Sequence, residues 1–241
     1  MKRTIKKIRQ YLLAPFVLKD YFAFKKLAGK RGRFSLAVSD MYPCPLDKTV
    51  MTGFDRHYVY HTAWAARKVA EIKSEFHTDI SSSLYFSSIV SAFVPVKFYD
   101  YRPADLQLSG LASEKGDLMK LPFADNSIKS LSCMHTVEHV GLGRYGDPID
   151  PDGDLKAIKE LQRVLASGGS LLFVVPIGKP KIQFNAHRIY SYGMIKEYFS
   201  ELELREFSLI PEKSGPMIVN ATADQANGEV YGCGCFWFVK K

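Results

Sequence analysis

Residues 129–147, KSLSCMHTVEHVGLGRYGD, decide the fold class of this chain. Leu131 and Met134 bracket small residues in a short apolar run, which predicts a buried strand. Gly141, Gly143 and Gly146 then exclude a long helix directly after it. His135, Glu138 and His139 therefore fall at a strand's carboxyl end. In an open α/β sheet those ends form the crevice where ligands bind, so this loop is the first candidate for chemistry.

On either side of the loop, short apolar runs alternate with helical patterns: HTDI, SLYFSSIVSAF, VKFYDYR, a weak LASEKGDL, then DLKAIKELQRVLASGG and SLLFVVP. Such alternation predicts a parallel sheet with helical crossovers. The clearest helix starts near Asp154, which can cap it. Leu155, Ile158, Leu161 and Leu165 form its apolar stripe, and Gly168 supplies a left-handed stop. After the apolar strand ending at Val175 come a loop with FNAHRIY, a helix near Met194 to Phe199, and two late strands, LELREFSLI and CGCFWFVKK. Upstream, FDRHYVYHTAWAARKVAEIK reads as an amphipathic helix whose His57, Tyr58, Tyr60 and His61 face either a ligand or, as helix aromatics more often do, the core.

With 241 residues, 46% hydrophobic and 13% aromatic, the chain can bury a core. Its four cysteines show no zinc-like spacing, which favours a reducing compartment. No segment approaches the roughly 18 apolar residues of a membrane span, and no signal peptide is recognisable, so a cytoplasmic location is expected. Charge is concentrated at one end. Residues 1–33 hold eleven Lys and Arg against the single acid Asp20, a net +10. The whole chain carries +8, so the rest carries −2.

Two domains are therefore expected: a basic amphipathic helical arm, 1–33, and an α/β domain, 34–241. Pro15 should divide the arm into two short helices. Bases interleaved with Ile5, Ile8, Leu12, Phe16, Leu18, Tyr21, Phe22 and Leu27 suit an anionic membrane surface; the competing view packs that apolar face on the domain. Nucleic-acid binding is not expected, because no recognition motif accompanies the charge. Residues 32–53, with Pro43 and Pro45, read as a loop or lid.

Several residues have positions suited to ligands. Asp79 and the serines Ser81, Ser82 and Ser83 occupy the turn from the first strand into the first helix, where a helix cap is the simpler reading. Asp100 closes the second strand, roughly 20 residues later, where an acid can bind ribose hydroxyls. Asp117 ends the next strand, where a carboxylate can accept from an adenine amino group. His187 and Arg188 follow the apolar strand, and an imidazole beside a fixed guanidinium suits proton transfer and hydroxyl recognition. His135, Glu138 and His139 also match the H-x-x-E-H pattern of some zinc peptidases. That chemistry needs a continuous helix, which the glycines forbid, so no metal is expected. Asp147, Asp150, Asp152 and Asp154 invite a calcium reading, but Gly153 is misplaced for it and turn formation suffices.

Asp79, Asp100, GDLMKLPFADNSIKSLSCMHTVEHV and ELQRVLASGGSLLFVVP together resemble class I S-adenosylmethionine-dependent methyltransferases, from about Phe76 to the C-terminus. FDRHYVYHTAWAARK, HTVEHVGLGRYGDPIDPDGD and FNAHRIY look like a family of unknown function within that superfamily, associated with bacterial surface-polysaccharide synthesis. The resemblance implies a Rossmann-like three-layer α/β sandwich with a seven-stranded, mostly parallel sheet and an antiparallel last strand. It implies S-adenosylmethionine contacts at Asp79, Ser81, Ser83, Asp100, Asp117 and Leu118. The acceptor would be a sugar hydroxyl on a surface glycan or lipid-linked precursor, at the inner face of a membrane. His135, His139 or His187 would serve as base, Glu138 would orient it and Arg188 would hold the acceptor. The superfamily's glycine-rich first turn is ISSS here. That departure supports a rival reading, a catalytically inactive methyltransferase fold that acts as a binding or scaffolding module in polysaccharide assembly.

Overall fold

The computed structural model describes residues 2–29 and 33–241, with side chains from residue 15 onward. The chain divides into two compact units, Met1–Phe54 and Asp55–Lys241. The division falls later than a boundary after Arg33, because the segment after the basic arm is tied to the arm's helix. Tyr21 Oη donates to the Leu36 carbonyl at 2.9 Å, and Lys48 lies 3.9 Å from Asp20.

The first unit is built on helix α1 (Lys2–Ala28), followed by irregular chain with a short 3₁₀ turn at Val38–Asp40. The expected break at Pro15 is absent, and one helix runs through it. A single proline removes one rung of the hydrogen-bond ladder, while Leu12, Leu13, Ala14 and Lys19 around it favour helix. The arm's Ile5, Ile8 and Leu12 lie outside the described side chains, as do its bases before residue 15 and at 30 and 31. Among the described residues no helix is long and apolar enough to cross a membrane.

The second unit opens with α2 (Arg56–Ile72), capped by Asp55, whose side chain accepts from the Tyr58 N–H at 3.2 Å. His57, His61, Trp64, Ala65 and Val69 recur at helical spacing and form its buried stripe. The alternating segment then supplies β1 (His77–Ile80), α3 (Leu84–Val90), β2 (Val96–Asp100), β3 (Leu111–Lys115), β4 (Ile128–Met134), α4 (Gly153–Val164) and β5 (Leu165–Ile177). FNAHRIY, expected as loop, falls in and beside a two-stranded ribbon of β6 (Lys181–Gln183) and β7 (His187–Ile189). Helix α5 (Tyr192–Tyr198), β8 (Leu202–Ile210), α6 (Ala223–Asn227) and β9 (Gly232–Lys240) complete the chain.

The sheet has seven strands in the order β3-β2-β1-β4-β5-β9-β8. The first five run parallel, and β9 is antiparallel to both β5 and β8. Strand alternation feeds two cores. Leu131, Cys133, Phe173 and Phe236 pack on one face with Ile158 and Leu161 of α4 and Ile195 of α5. Met134, Leu172, Val174 and Cys235 pack on the other with Trp64 of α2 and Phe86 of α3. This is the three-layer sandwich. Asp154 is not a helix cap, since α4 begins one residue earlier and the buried Asp154 accepts from Tyr190 Oη at 2.9 Å.

Candidate active site

Strand order reverses between β1 and β4, and a doubly wound sheet opens its crevice at such a point. The chain leaves β1 at Ser81, whose φ of +54° is the left-handed conformation a glycine would supply. The serine is held there because its N–H, at 2.8 Å, and its hydroxyl, at 3.2 Å, both donate to the Tyr99 carbonyl. Ser82 Oγ accepts from the Met134 N–H at 3.0 Å, tying the turn to β4. Ser83 is the N-cap of α3 but its side chain makes no capping bond.

The resulting cleft has a volume of about 270 Å³ and is partly open to solvent. Its wall comprises Ser81, Ser82 and Ser83 after β1, Asp100, Tyr101 and Arg102 after β2, and residues 116–119 after β3. Met134, His135, Thr136, His139, Val140, Tyr145 and Asp147 after β4, and Tyr58 of α2, complete it. Ser81, Ser83, Asp100, Asp117, Leu118, His135 and His139, named from the sequence, thus share one cavity. Asp100 Oδ1 accepts from the Arg102 N–H at 2.7 Å and Asp117 Oδ1 from the Met119 N–H at 2.9 Å, so each carboxylate is oriented by its own turn.

Asp79, Glu138, His187 and Arg188 lie outside that wall. Asp79 is fully buried: Ser132 Oγ donates to its Oδ1 and Ser87 Oγ to its Oδ2, at 2.6 Å for the second. Burial raises its carboxyl from the ordinary 3.8 to about 6. Arg188 is used structurally. It donates to the Val140 carbonyl at 2.6 Å and the Pro151 carbonyl at 3.2 Å and pairs with Asp154 at 3.5 Å, which corrects the expectation that it holds an acceptor. It pins the loop between them instead.

That loop also folds on itself. Asp147 accepts from the N–H groups of Gly141 (2.8 Å), Gly143 (3.4 Å) and Tyr145 (3.2 Å). Gly141 has φ +79°, and a Cβ there would sit 2.1 Å from the Asp150 carbonyl oxygen. Asp150 accepts from the Asp152 N–H at 3.0 Å and pairs with Lys156, so the acidic run forms turns, as its spacing suggested.

Five of the six histidines gather beside the cleft. His135, buried and at φ +55°, directs Nδ1 to Glu138 Oε1 at 2.9 Å and Nε2 to Cys233 Sγ at 3.4 Å. Burial alone would lower its pKa, but its contacts with Cys233 and Glu138 raise it to about 10; burial pushes the Cys233 thiol up as well, so the negatively charged partner is the Glu138 carboxylate. Burial opposes ionisation of Glu138, yet the bond to His135 holds that carboxyl below its usual range. The His57 and His61 rings lie 5.6 and 5.0 Å from His135, and burial keeps both neutral, His57 at about 4.

His139 is different in kind. Its Nδ1 lies 2.6 Å from the Ala186 carbonyl and 3.2 Å from Arg144 Nη1; the shorter contact, to an oxygen that can only accept, puts the proton on Nδ1 and leaves the lone pair on Nε2, 3.9 Å from Glu138 Oε1. Arg144 also donates to Ala186, at 2.8 Å, and stacks on Tyr145, which Arg102 covers as well. Burial lowers the His139 pKa, so the ring is neutral near pH 7. It is an accessible base on the cleft wall. His187 packs against Tyr231 and His139 at ring distances of 5.1 and 6.3 Å.

Sequence reasoning missed Tyr101, Arg102, Tyr145 and Cys233. The first two directly follow Asp100 and were legible by adjacency. Tyr145 sat inside the quoted loop. Cys233 is 98 residues from His135, and only the fold joins them.

A family model described as "Caenorhabditis protein of unknown function, DUF268" matches residues 122–208. No curated protein matches the chain. Among solved structures, the chain is similar to a protein assigned as a methyltransferase in complex with the Trm112 methyltransferase activator of Haloferax volcanii. The TM-score is 0.52 with 18% identity, over 77% of this chain and 90% of that one. It is similar to YcgJ of Bacillus subtilis (TM-score 0.53, 14% identity, 76% and 99% covered). A protein assigned as a sarcosine dimethylglycine methyltransferase from Galdieria sulphuraria gives 0.53 and 13%, with 76% and 86% covered. At these identities the likeness speaks to architecture alone, and the strand order agrees with it: the sheet unit has the Rossmann-like methyltransferase fold.

Proposed function

We propose that this cleft binds S-adenosylmethionine and that the protein methylates a sugar hydroxyl of a surface glycan or its lipid-linked precursor. The observation that carries the reading is the meeting of Asp100, Asp117 and His139 in one cavity. The residues fit the cofactor. Asp100, at the end of β2, would accept from ribose hydroxyls, and Asp117 with Leu118 would hold the adenine. Ser81 and Ser83 would face the amino-acid end. The bound cofactor supplies an activated methyl group.

The protein's own task is then to orient a hydroxyl and remove its proton. His139 Nε2, unprotonated at neutral pH, accepts that proton, and the Ala186 carbonyl fixes the ring that receives it. Tyr101 offers an aromatic face and Arg102 a cation near Asp147 on the same cleft wall, a set suited to a sugar's apolar face and hydroxyls. The rival scaffold reading drew on the serine-rich turn. Ser81 in the left-handed conformation supports the cofactor reading instead.

Calorimetric titration with S-adenosylmethionine and S-adenosylhomocysteine tests this. Saturable binding is expected, weakened at least tenfold in Asp100→Ala, since a charge-assisted hydrogen bond contributes about 1.5–3 kcal/mol. No binding up to millimolar ligand, with or without glycan acceptors, would shift the reading to the inactive scaffold.

The first unit's α1 exposes Phe16, Phe22, Phe24 and Leu27 among Lys19, Lys25 and Lys26, which supports a peripheral place on an anionic, cytoplasmic membrane face. Sedimentation with anionic vesicles should fall in the triple variant Phe16→Ser, Phe22→Ser, Phe24→Ser. Equal sedimentation would remove the arm as anchor.

A further inference from the structure

We infer that His57, His135 and Cys233 form a site for a borderline divalent cation, of which Zn²⁺ is the type. The ligand atoms of the first three all lie within 4.8 Å of one another. In a tetrahedral zinc site, bonds of about 2.0 Å to nitrogen and 2.3 Å to sulfur place donors about 3.5 Å apart. The His135 Nε2 to Cys233 Sγ separation of 3.4 Å already has that value.

His135 is also oriented as a ligand would be. Metal-bound histidines give their other ring nitrogen to a carboxylate or backbone carbonyl. His135 gives Nδ1 to Glu138 at 2.9 Å, and the His57 ring stacks on Tyr231 with centroids 5.2 Å apart. His61 gives Nδ1 to the His57 carbonyl at 2.6 Å. Its fully buried Nε2 then holds a lone pair, and among the described residues nothing donates to it. That nitrogen is not one of the three grouped donors, and the His61 ring lies 5.0 Å from that of His135. The donor set, two imidazoles and one thiol, is borderline to soft and suits zinc over calcium or magnesium. Coordination releases the proton on the Cys233 sulfur and that on His135 Nε2 to solvent. The three ligands come from α2, the turn just after β4, and β9, so the ion would clamp the helix to the sheet, independently of methyl transfer.

The test is metal content and Co²⁺ substitution on the full-length protein. Purified without chelator, the protein should carry about one zinc per chain by elemental analysis. After removal of that metal, Co²⁺ should produce a thiolate-to-cobalt charge-transfer band with the intense visible bands of tetrahedral coordination. Cys233→Ser should abolish the charge-transfer band, and His57→Ala should weaken Co²⁺ affinity at least tenfold. Cys44→Ser, in the other unit, should change neither. Should the variants fail to fold, the wild-type spectrum decides. Metal-free protein that gives no charge-transfer band with excess Co²⁺ overturns the site, as does a band that survives in Cys233→Ser. S-adenosylmethionine titration of the metal-free protein reads the proposed function separately.

Discussion

Glu138 holds His135 through Nδ1 at 2.9 Å, with both side chains almost wholly out of water. The imidazole pKa, raised to about 10, contributes stability that is complete below the ordinary 6.5 and is lost as pH rises through 10. The carboxylate, held low, contributes stability above the ordinary 4.5 that is lost as pH falls. Glu138→Gln should therefore cost about 2 kcal/mol near pH 6, the size of a charged hydrogen bond, and less at pH 9. Urea unfolding in the presence of a chelator measures the gap, and a gap that is unchanged between the two pH values would refute the pair's role.

Asp79 should leave an opposite mark. A carboxyl raised from 3.8 to about 6 binds more protons folded than unfolded, so stability falls as pH rises from about 4 to 6 and is then flat. Two units correspond to about 3 kcal/mol. His77, lowered to about 3 by burial, works against this slope, because its unfolded form takes a proton below 6.5. Asp79→Asn removes only the first contribution. The expected result is a steeper rise of stability with pH between 4 and 6 than in the wild type, read from unfolding curves at fixed pH.

The sheet was legible because its strands are short apolar runs with helices between them, and SLLFVVP and HTDI have no other sensible reading. The cleft's acids were legible for the same reason: Asp100 and Asp117 sit at strand ends, and strand ends are fixed by topology. Direction within a strand was harder. Asp79 stands in β1 itself, where alternation sends it beneath α3 with Ser87 and not into the cleft. Arg188 looked like a binding group because a charged residue beside His187 has no local partner, and its three acceptors, Val140, Pro151 and Asp154, are distant in sequence. The imidazole cluster was invisible for the same reason, since α2, β4 and β9 meet only when the chain folds.

The loop bearing His139 depends on two backbone positions of unequal demand. Gly141 has φ +79° and no room for a Cβ, which would meet the Asp150 carbonyl at 2.1 Å. Gly146 has φ +86° and open space around it. Alanine at 146 should cost about 1 kcal/mol, the ordinary penalty of a left-handed residue. Alanine at 141 adds a clash with backbone and should cost about 3 kcal/mol or more. Thermal unfolding of the two variants side by side gives the comparison, and equal losses would mean that the loop relaxes freely.

For the proposed methyl transfer the candidate base is His139, since both ring nitrogens of His135 are engaged by Glu138 and Cys233 while His187 stands off the cleft wall. A general base must be unprotonated, so the rate of methyl transfer should rise with pH through an apparent pKa below 6.5 and level off near neutrality. His139→Gln should remove that limb and lower kcat by about 10²- to 10⁴-fold, while leaving the affinity for S-adenosylmethionine nearly unchanged. His187→Gln should keep the limb. A limb that persists in His139→Gln and vanishes in His187→Gln would transfer the role, because a ring that merely shapes the cleft would shift binding and leave the pH profile in place.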